Sequence, residues 1–260
     1  MLVKDIMNSS WQALYEDALV TKARAMMREL GFRVLPIINT ERRLLGIVSR
    51  SDVMAVTSSK SPIRVKGIMS TSWYVATMDA EASRTIQEMI KLDYWYAPVI
   101  KSVQDNVYAG VLGLENFIQS FLKKESPRLI KPVSEIMTTD VITCSPEDEI
   151  DNVWRLMREK SVRGLPVIER KKLVGIVTEK DLLGSGADFP TFESRKGRFR
   201  APTKISSLME TSITTLKKTA TLKEAARIIV EKNFGRLPVI DDRGALIGIV
   251  DREDIAKALL

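Results

Sequence analysis

Histidine is absent from the 260 residues, and cysteine occurs once, at Cys144. A lone thiol forms no internal disulfide. Without imidazole, the Ser-His-Asp and Cys-His routes to nucleophilic catalysis are excluded, and a structural zinc site lacks its usual ligands. Aromatic residues make up only 6% of the chain. No apolar run approaches the ~20 residues that a membrane helix needs. The opening MLVKDIMNSS lacks the long apolar core of a signal peptide. Phosphate-binding runs of the GxxxxGK[ST] or GxGxxG type are missing, which argues against an NTPase or a dehydrogenase. These absences set the expectation of a soluble, cytoplasmic protein with no membrane partner, no metal and no catalytic centre. Cys144, beside Ser145-Pro146, reads as a small half-buried residue rather than a reactive thiol.

What is present points to a folded binding protein. Hydrophobic residues are 45% of the chain, enough for a sizeable core. The formal charge is +7, with 17 basic against 13 acidic residues up to Ile130 and 23 against 20 beyond it. The excess is spread over both halves, so it is no basic tail; it favours polyanionic ligands or partners.

The stretch Arg163 to Asp181, RGLPVIERKKLVGIVTEKD, shows how the chain is built. Two apolar, β-branched runs, Leu165 to Ile168 and Leu173 to Val177, flank a charged turn, as in a hairpin. Thr178 and Asp181 then stand at the spacing of a helix N-cap and its third residue. The pattern occurs four times. A Met precedes each hairpin Pro by 29 residues: Met7 and Pro36, Met69 and Pro98, Met137 and Pro166, Met209 and Pro238. Gly46, Gly110, Gly175 and Gly248 open the core of each second run. Six residues after them stand Asp52, Asn116, Asp181 and Asp254. Four copies in one register are an internal repeat. An apolar stripe at helical spacing precedes each hairpin, such as Leu19, Ala23, Met26, Met27 and Leu30 in the first. A short strand is expected around Trp11 to Leu14.

This repeat resembles the CBS domain. The matching residues are Ile6-Met7, Ile68-Met69, Ile136-Met137 and Leu208-Met209, the Leu-Pro-Val-Ile strand, and the Gly-Ile-Val-Ser/Thr-x-x-Asp close. The resemblance covers nearly the whole chain. It implies an α/β (α+β) fold of four β-α-β-β-α repeats, paired through their sheets into two Bateman modules. The layout is similar to that of the γ subunit of AMP-activated protein kinase, in which one chain makes a flat disc. The expected first pair is 1–126 (repeats 1–60 and 61–126). The expected second pair is 127–260 (repeats 127–187 and 200–260), joined by a basic linker at 184–204.

The resemblance also implies ligands, namely AMP, ADP or ATP, with S-adenosylmethionine as a relative, held in clefts between repeats. Asp52, Asp181 and Asp254 would accept ribose hydroxyls. Ser49 and Thr178 would bond ribose or phosphate oxygens. Backbone groups near Thr138 and Ile142 in repeat 3 would read the adenine edge. Arg33, Arg163 and Arg236 would hold phosphate, for which the guanidinium fork is suited. The clefts are unequal. Asp251 puts a negative charge where repeat 4 should have a hydroxyl, and Gly113 with Asn116 makes repeat 2 the poorest candidate. Tyr94-Trp95-Tyr96 stands where the other repeats have small or basic residues; core packing is its expected role, with a stacking face for a base as the alternative. The Ser/Thr and Asp pairs can equally cap helices, and capping is compatible with binding.

The expected function is a non-enzymatic, adenine-nucleotide-binding regulatory or energy-sensing module. It would act through an unidentified protein partner, as a monomeric disc or a homodimer. The competing expectation is an RNA- or ribosome-binding protein on the same scaffold. Arg195, Lys196, Arg198 and Arg200 interleave with Phe192 and Phe199, a pattern that can grip a nucleic-acid backbone and stack on bases.

Overall fold

The structure is a computed structural model and describes residues 1–56, 61–184 and 203–260. Arg195, Lys196, Arg198 and Arg200 lie outside the described residues. Repeat 1 contains β1 (Leu14–Tyr15), α1 (Val20–Glu29), β2 (Val34–Ile38), β3 (Leu44–Ser49) and α2 (Arg50–Ala55). Repeat 2 contains β4 (Ala76–Thr77), α3 (Ala82–Lys91), β5 (Tyr96–Ile100), β6 (Tyr108–Gly113) and α4 (Leu114–Lys123). Repeat 3 contains α5 (Ile150–Glu159), β7 (Gly164–Glu169), β8 (Lys172–Thr178) and α6 (Glu179–Gly184). Repeat 4 contains β9 (Leu216–Lys217), α7 (Leu222–Glu231), β10 (Arg236–Ile240), β11 (Leu246–Asp251) and α8 (Arg252–Leu259).

In repeats 1, 2 and 4 the hairpin's first strand is central, with the short opening strand parallel on one side and the second hairpin strand antiparallel on the other. Each hairpin carries one register irregularity at the same place, as between Ile37 and Ile38 or Val167 and Ile168. Repeat 3 keeps only β7 and β8, and its opening strand shrinks to a single parallel bridge from Cys144 to Val167. Pro146 removes a donor that repeats 1 and 2 use there. In repeat 1 the Glu16 amide donates to the Ile38 carbonyl at 3.0 Å, and Pro146 stands at the matching place without an N–H to give. The opening strand of repeat 1 begins later than the expected Trp11. The Trp11 indole N–H is turned to the Val34 carbonyl at 3.2 Å, and the Trp11 carbonyl accepts from the Tyr108 hydroxyl at 2.8 Å.

The repeated Met and Gly explain each other. A Cβ on Gly175 would lie 2.7 Å from the sulfur of Met209, and one on Gly248 would lie 2.6 Å from the sulfur of Met137. A Cβ on Gly46 would meet the Ser70 carbonyl at 2.6 Å, beside Met69, and one on Gly110 the Asn8 carbonyl at 2.5 Å. The opening of each repeat therefore crosses the hairpin of its neighbour. Backbone bridges fix that crossing: Asn8 to Val111, Ile47 to Ser70, Thr138 to Ile249 and Ile176 to Glu210. Sheets thus pair repeat 1 with 2 and repeat 3 with 4.

Helices pair the other way. Val20, Ala23 and Met27 of α1 and Val53 of α2 share a core with Ile150, Val153 and Met157 of α5 and Leu182 of α6. Phe117 and Ile118 of α4 share a second core with Leu222, Ala225 and Ile229 of α7 and Ile255 of α8. Repeat 1 is therefore joined to 3, and repeat 2 to 4. Two polar contacts pin this seam. Ser51 donates to Glu179 at 3.0 Å. Arg252, with no exposed surface, pairs with Glu115 at 2.7 Å and also donates to the Tyr96 hydroxyl and to Asn233, each at 2.6 Å. Its Nε donates to the Phe234 carbonyl at 2.9 Å, so all three guanidinium nitrogens are engaged, as a buried charge requires. Cys144 is buried, and loss of solvent pushes its thiol up to about 12, so it is not poised as a thiolate.

Candidate functional site

Four topologically equivalent positions converge on the centre of the molecule: Arg33, Trp95, Arg163 and Gly235. Each carbonyl accepts the amide of the first residue of its repeat's last helix: Arg50, Leu114, Glu179 and Arg252. The four residues line one cavity of about 310 Å³, within the ~300–1,000 Å³ range of small-molecule sites. Gly235 is a glycine because the centre is full. A Cβ there would lie 2.8 Å from Nη1 of Arg33 and 3.3 Å from Trp95.

The cavity opens from this centre into the cleft of repeat 3. Ile176, Thr178 and Asp181 form one wall; Glu210, Ser212, Ile213, Thr214 and Pro238 of repeat 4 form the other. The opening of repeat 4 stands there because Glu210 and Ile176 exchange backbone hydrogen bonds of 2.9 and 3.0 Å. Oδ2 of Asp181 accepts from the Thr178 amide at 2.8 Å and from its hydroxyl at 2.7 Å. One carboxylate oxygen is thus committed to holding the turn.

The centre is cationic and aromatic. Arg33, Arg50, Arg163 and Arg236 line it, with Lys180 and Lys232. Arg50 is satisfied by the Phe32 and Gly31 carbonyls at 3.0 and 2.8 Å. Arg33 donates to the Asn233 carbonyl at 3.1 Å, and Arg236 donates to the Gly164 carbonyl. Among the described residues, Arg33, Arg163 and Arg236 make no ion pair with a carboxylate. Loss of solvent lowers the pKa values of Arg33 and Arg236; neighbouring guanidiniums lower them further, while Asp251 acts against this on Arg236 and Tyr96, Glu115 and Glu179 act against it on Arg33. Both lie over the ring of Trp95, at 5.8 and 5.9 Å from its centroid, in cation–π contact. Trp73 and Tyr94 stack at 4.1 Å on the same wall.

The sequence-predicted residues fall into groups. Thr178, Asp181, Arg33, Arg163 and Arg236 meet in this cavity. Ser49 and Asp52 form the matching turn of repeat 1, with the Ser49 amide and hydroxyl both 2.7 Å from Asp52, and are not part of its lining. Thr138 exchanges backbone bonds of 2.9 Å with Ile249, so it lies against repeat 4 and belongs to the side of Asp254. Ile142 is half-buried and packed on the core shared by repeats 1 and 3. The opening segment of a repeat serves its partner's cleft, because the crossing places it there. The segment that faces Asp181 is therefore Glu210 to Thr214, which sequence reasoning missed. The register of the repeats, taken together with the swap between partners, was the signal for it.

The turn of repeat 4 differs chemically. Asp251 accepts from the amides of Glu253 and Asp254 at 2.8 and 3.1 Å, while Asp254 accepts from the Asp251 amide at 2.9 Å. Burial and the mutual repulsion of the two carboxylates push Asp254 up to about 7. In repeat 2 the Gly113 amide donates to Asn116 at 2.8 Å. A Cβ on Gly113 would lie 2.5 Å from the Glu115 carboxylate, so the missing hydroxyl there is space given to the Arg252 partner. Trp95 and Tyr96 are buried, as expected of core aromatics, and they also line the cavity.

Comparison with known proteins places these features in context. The CBS domain family matches residues 3–59, 133–188 and 205–260. Repeat 2, with its altered turn, lies outside the matched stretches. Protein MJ1225 of Methanocaldococcus jannaschii is 25% identical over 98% of each chain. Its crystal structure, of a protein proposed as an archaeal homologue of g-AMPK, superposes with a TM-score of 0.87 at 23% identity over 100% of both chains. The inosine-5'-monophosphate dehydrogenase of Korarchaeum cryptofilum is 34% identical over 49% of this chain but only 24% of its own length. A crystal structure of CBSX2 in complex with AMP, from Arabidopsis thaliana, matches 49% of this chain and 95% of its own at 33% identity, with a TM-score of 0.43.

Proposed function

The chain belongs to the CBS domain family, and from that premise we propose that it is a non-enzymatic regulatory module that binds an adenine nucleotide in the central cavity. The pairs are assigned to 1–126 and 127–260, and the output passes through a protein partner. One observation carries the reading. Three guanidiniums that form no ion pair with a carboxylate of the described residues share a cavity with a Thr178–Asp181 turn whose second carboxylate oxygen makes no hydrogen bond to a described residue. Clustered cations in a desolvated site are relieved by a polyanion.

In this reading the ribose lies on Asp181 and Thr178. The base lies against Ile176, Ile213 and Pro238, with backbone groups of Glu210 to Thr214 along its edge. Phosphate lies toward Arg163 and Arg236. In this reading the side chains of the cavity bind and orient the ligand and carry out no bond chemistry. The RNA- or ribosome-binding alternative rests on net charge and on residues outside the described ones, and nothing in the geometry favours it.

Calorimetric titration of ligand-stripped protein with AMP, ADP, ATP and S-adenosylmethionine tests the proposal. Saturable binding that Asp181→Ala weakens tenfold or more supports it. Loss with Asp52→Ala alone moves the ligand to the repeat 1 cleft. No binding by any of the four sinks the proposal.

A further inference from the structure

The four clefts are not filled alike. Each cleft is walled from its own hairpin by the residues one and three places past the repeated glycine. In the first half these are Ile47 and Ser49 in repeat 1, and Val111 and Gly113 in repeat 2; all four are buried. Their counterparts in the second half are Ile176 and Thr178 in repeat 3, and Ile249 and Asp251 in repeat 4; all four are partly exposed. Equivalent backbone bridges hold the partner's opening segment across every cleft. Side chains, not the backbone, therefore cover the first-half walls.

That cover is aromatic. Four residues after the repeated methionine the first half has Trp11 and Trp73, where the second half has Val141 and Ile213. Trp73 belongs to the opening segment of repeat 2 and serves the cleft of repeat 1. Its ring stacks on Tyr94 at 4.1 Å, 14° from parallel, and its N–H donates to the Tyr96 carbonyl at 3.0 Å. Trp11 stands in the matching place against repeat 2. Its ring lies 4.9 Å from Phe32 and 5.3 Å from Tyr96, and its N–H is on the Val34 carbonyl. The central cavity reaches Trp73 and Tyr94, but neither Ser49 nor Asp52 lines it. An indole is a flat fused bicycle with a ring N–H donor, close in size and shape to a purine. Stacked on one ring and hydrogen-bonded at its edge, it is held as a base would be held.

Resting on the adenine-nucleotide reading, we infer that Trp73 and Trp11 fill the base positions of the repeat 1 and repeat 2 clefts, so that the base and ribose of a nucleotide fit only in the second half of the chain. Trp73 is the specificity-determining residue of repeat 1, because the rest of that cleft is intact. Ser49 and Asp52 keep the same hydrogen-bonded turn as Thr178 and Asp181. Repeat 2, with Gly113 and Asn116, also lacks the hydroxyl and the carboxylate, so removal of Trp11 alone opens no site there.

The test removes the plug from repeat 1 of the full chain. Trp73→Ile gives repeat 1 the residue of repeat 3, and Trp73→Ala leaves more room. In both variants calorimetric titration with AMP and with ATP should count one more site per chain than in wild type. Adding Asp52→Ala to either variant should remove that extra site alone. In an Asp181→Ala background, Trp73→Ile should restore saturable binding about tenfold tighter than Asp181→Ala shows by itself. Thermal unfolding without ligand shows whether each variant is folded. Folded variants with no added site overturn the inference, as does wild-type binding that Asp52→Ala abolishes; in both cases the nucleotide reading stands. No binding of AMP or ATP by wild type or by either variant overturns both.

Discussion

Asp254 shows how one substitution in a repeated turn changes its chemistry. Its carboxyl, pushed up to about 7, is surrounded by Asp251, Glu253 and Lys257. An aspartate whose folded pKa lies above its unfolded value binds a proton more tightly in the folded state. Its contribution to stability is full below pH ~4 and is lost as pH rises toward 7. The expected loss is on the order of 3 kcal/mol across that window. Asp254→Asn should reduce this slope, the rest belonging to Asp251, which burial also pushes up, and make the protein more stable than wild type at pH 8. The chain already uses the isostere, since Asn116 accepts from the Gly113 amide at 2.8 Å. Urea unfolding of both proteins at pH 5 and pH 8 checks it; a variant with the wild-type pH dependence contradicts it. Asp181→Ala carries a second residue-scale effect apart from ligand. It removes the two bonds from Thr178 and should cost about 1 kcal/mol in unliganded protein, read from the same curves.

At the scale of elements, the Met and Gly signature is a packing lock between paired repeats. Gly175→Ala drives a methyl into the sulfur of Met209, 2.7 Å away, and overpacking of this kind costs ~1–3 kcal/mol. Met209→Ala makes room, so Gly175→Ala should cost measurably less in that background. A double-mutant cycle by chemical denaturation gives the coupling, and additive costs would show that the two residues do not meet. The same lock explains the swapped cleft walls. The opening segment is pinned to the partner's hairpin by backbone bonds, so Glu210 faces Asp181 and Thr138 faces the turn of repeat 4.

At the scale of the whole molecule, the seam between sheet-paired halves depends on a buried charge. Glu115→Ala leaves Arg252 fully buried with Tyr96 and Asn233 but without a counter-ion. Breaking a buried pair from one side costs ~3–5 kcal/mol. The midpoint of denaturation should fall accordingly, and a change under 1 kcal/mol would show that the neutral partners suffice. Ligand acts on the same seam. Because the cavity is lined from all four repeats, a nucleotide at a hundred times its Kd should stabilise the folded chain by about 2.7 kcal/mol. The corresponding rise in Tm should fall to about half or less in Asp181→Ala at the same ligand concentration.

Much was legible before any coordinates. Four copies in one register, the hairpins, the helix caps and the family resemblance all follow from spacing along the chain, because local backbone preference and one-face burial write themselves into a sequence as periods. The candidate residues Thr178, Asp181, Arg33, Arg163 and Arg236 were singled out through the family resemblance, and the structure places all five around one cavity. The resemblance also gave the sheet pairing of repeat 1 with 2 and of 3 with 4. Only the tertiary structure decided that helices join 1 to 3 and 2 to 4. That choice brought Arg33 of the first half to the centre of the second, and made Gly235 the position left empty. The physical reason is steric and electrostatic. Arg33, Trp95 and Arg236 compete for one central volume, and what fits there depends on contacts between residues up to 200 positions apart, such as Arg33 with Asn233.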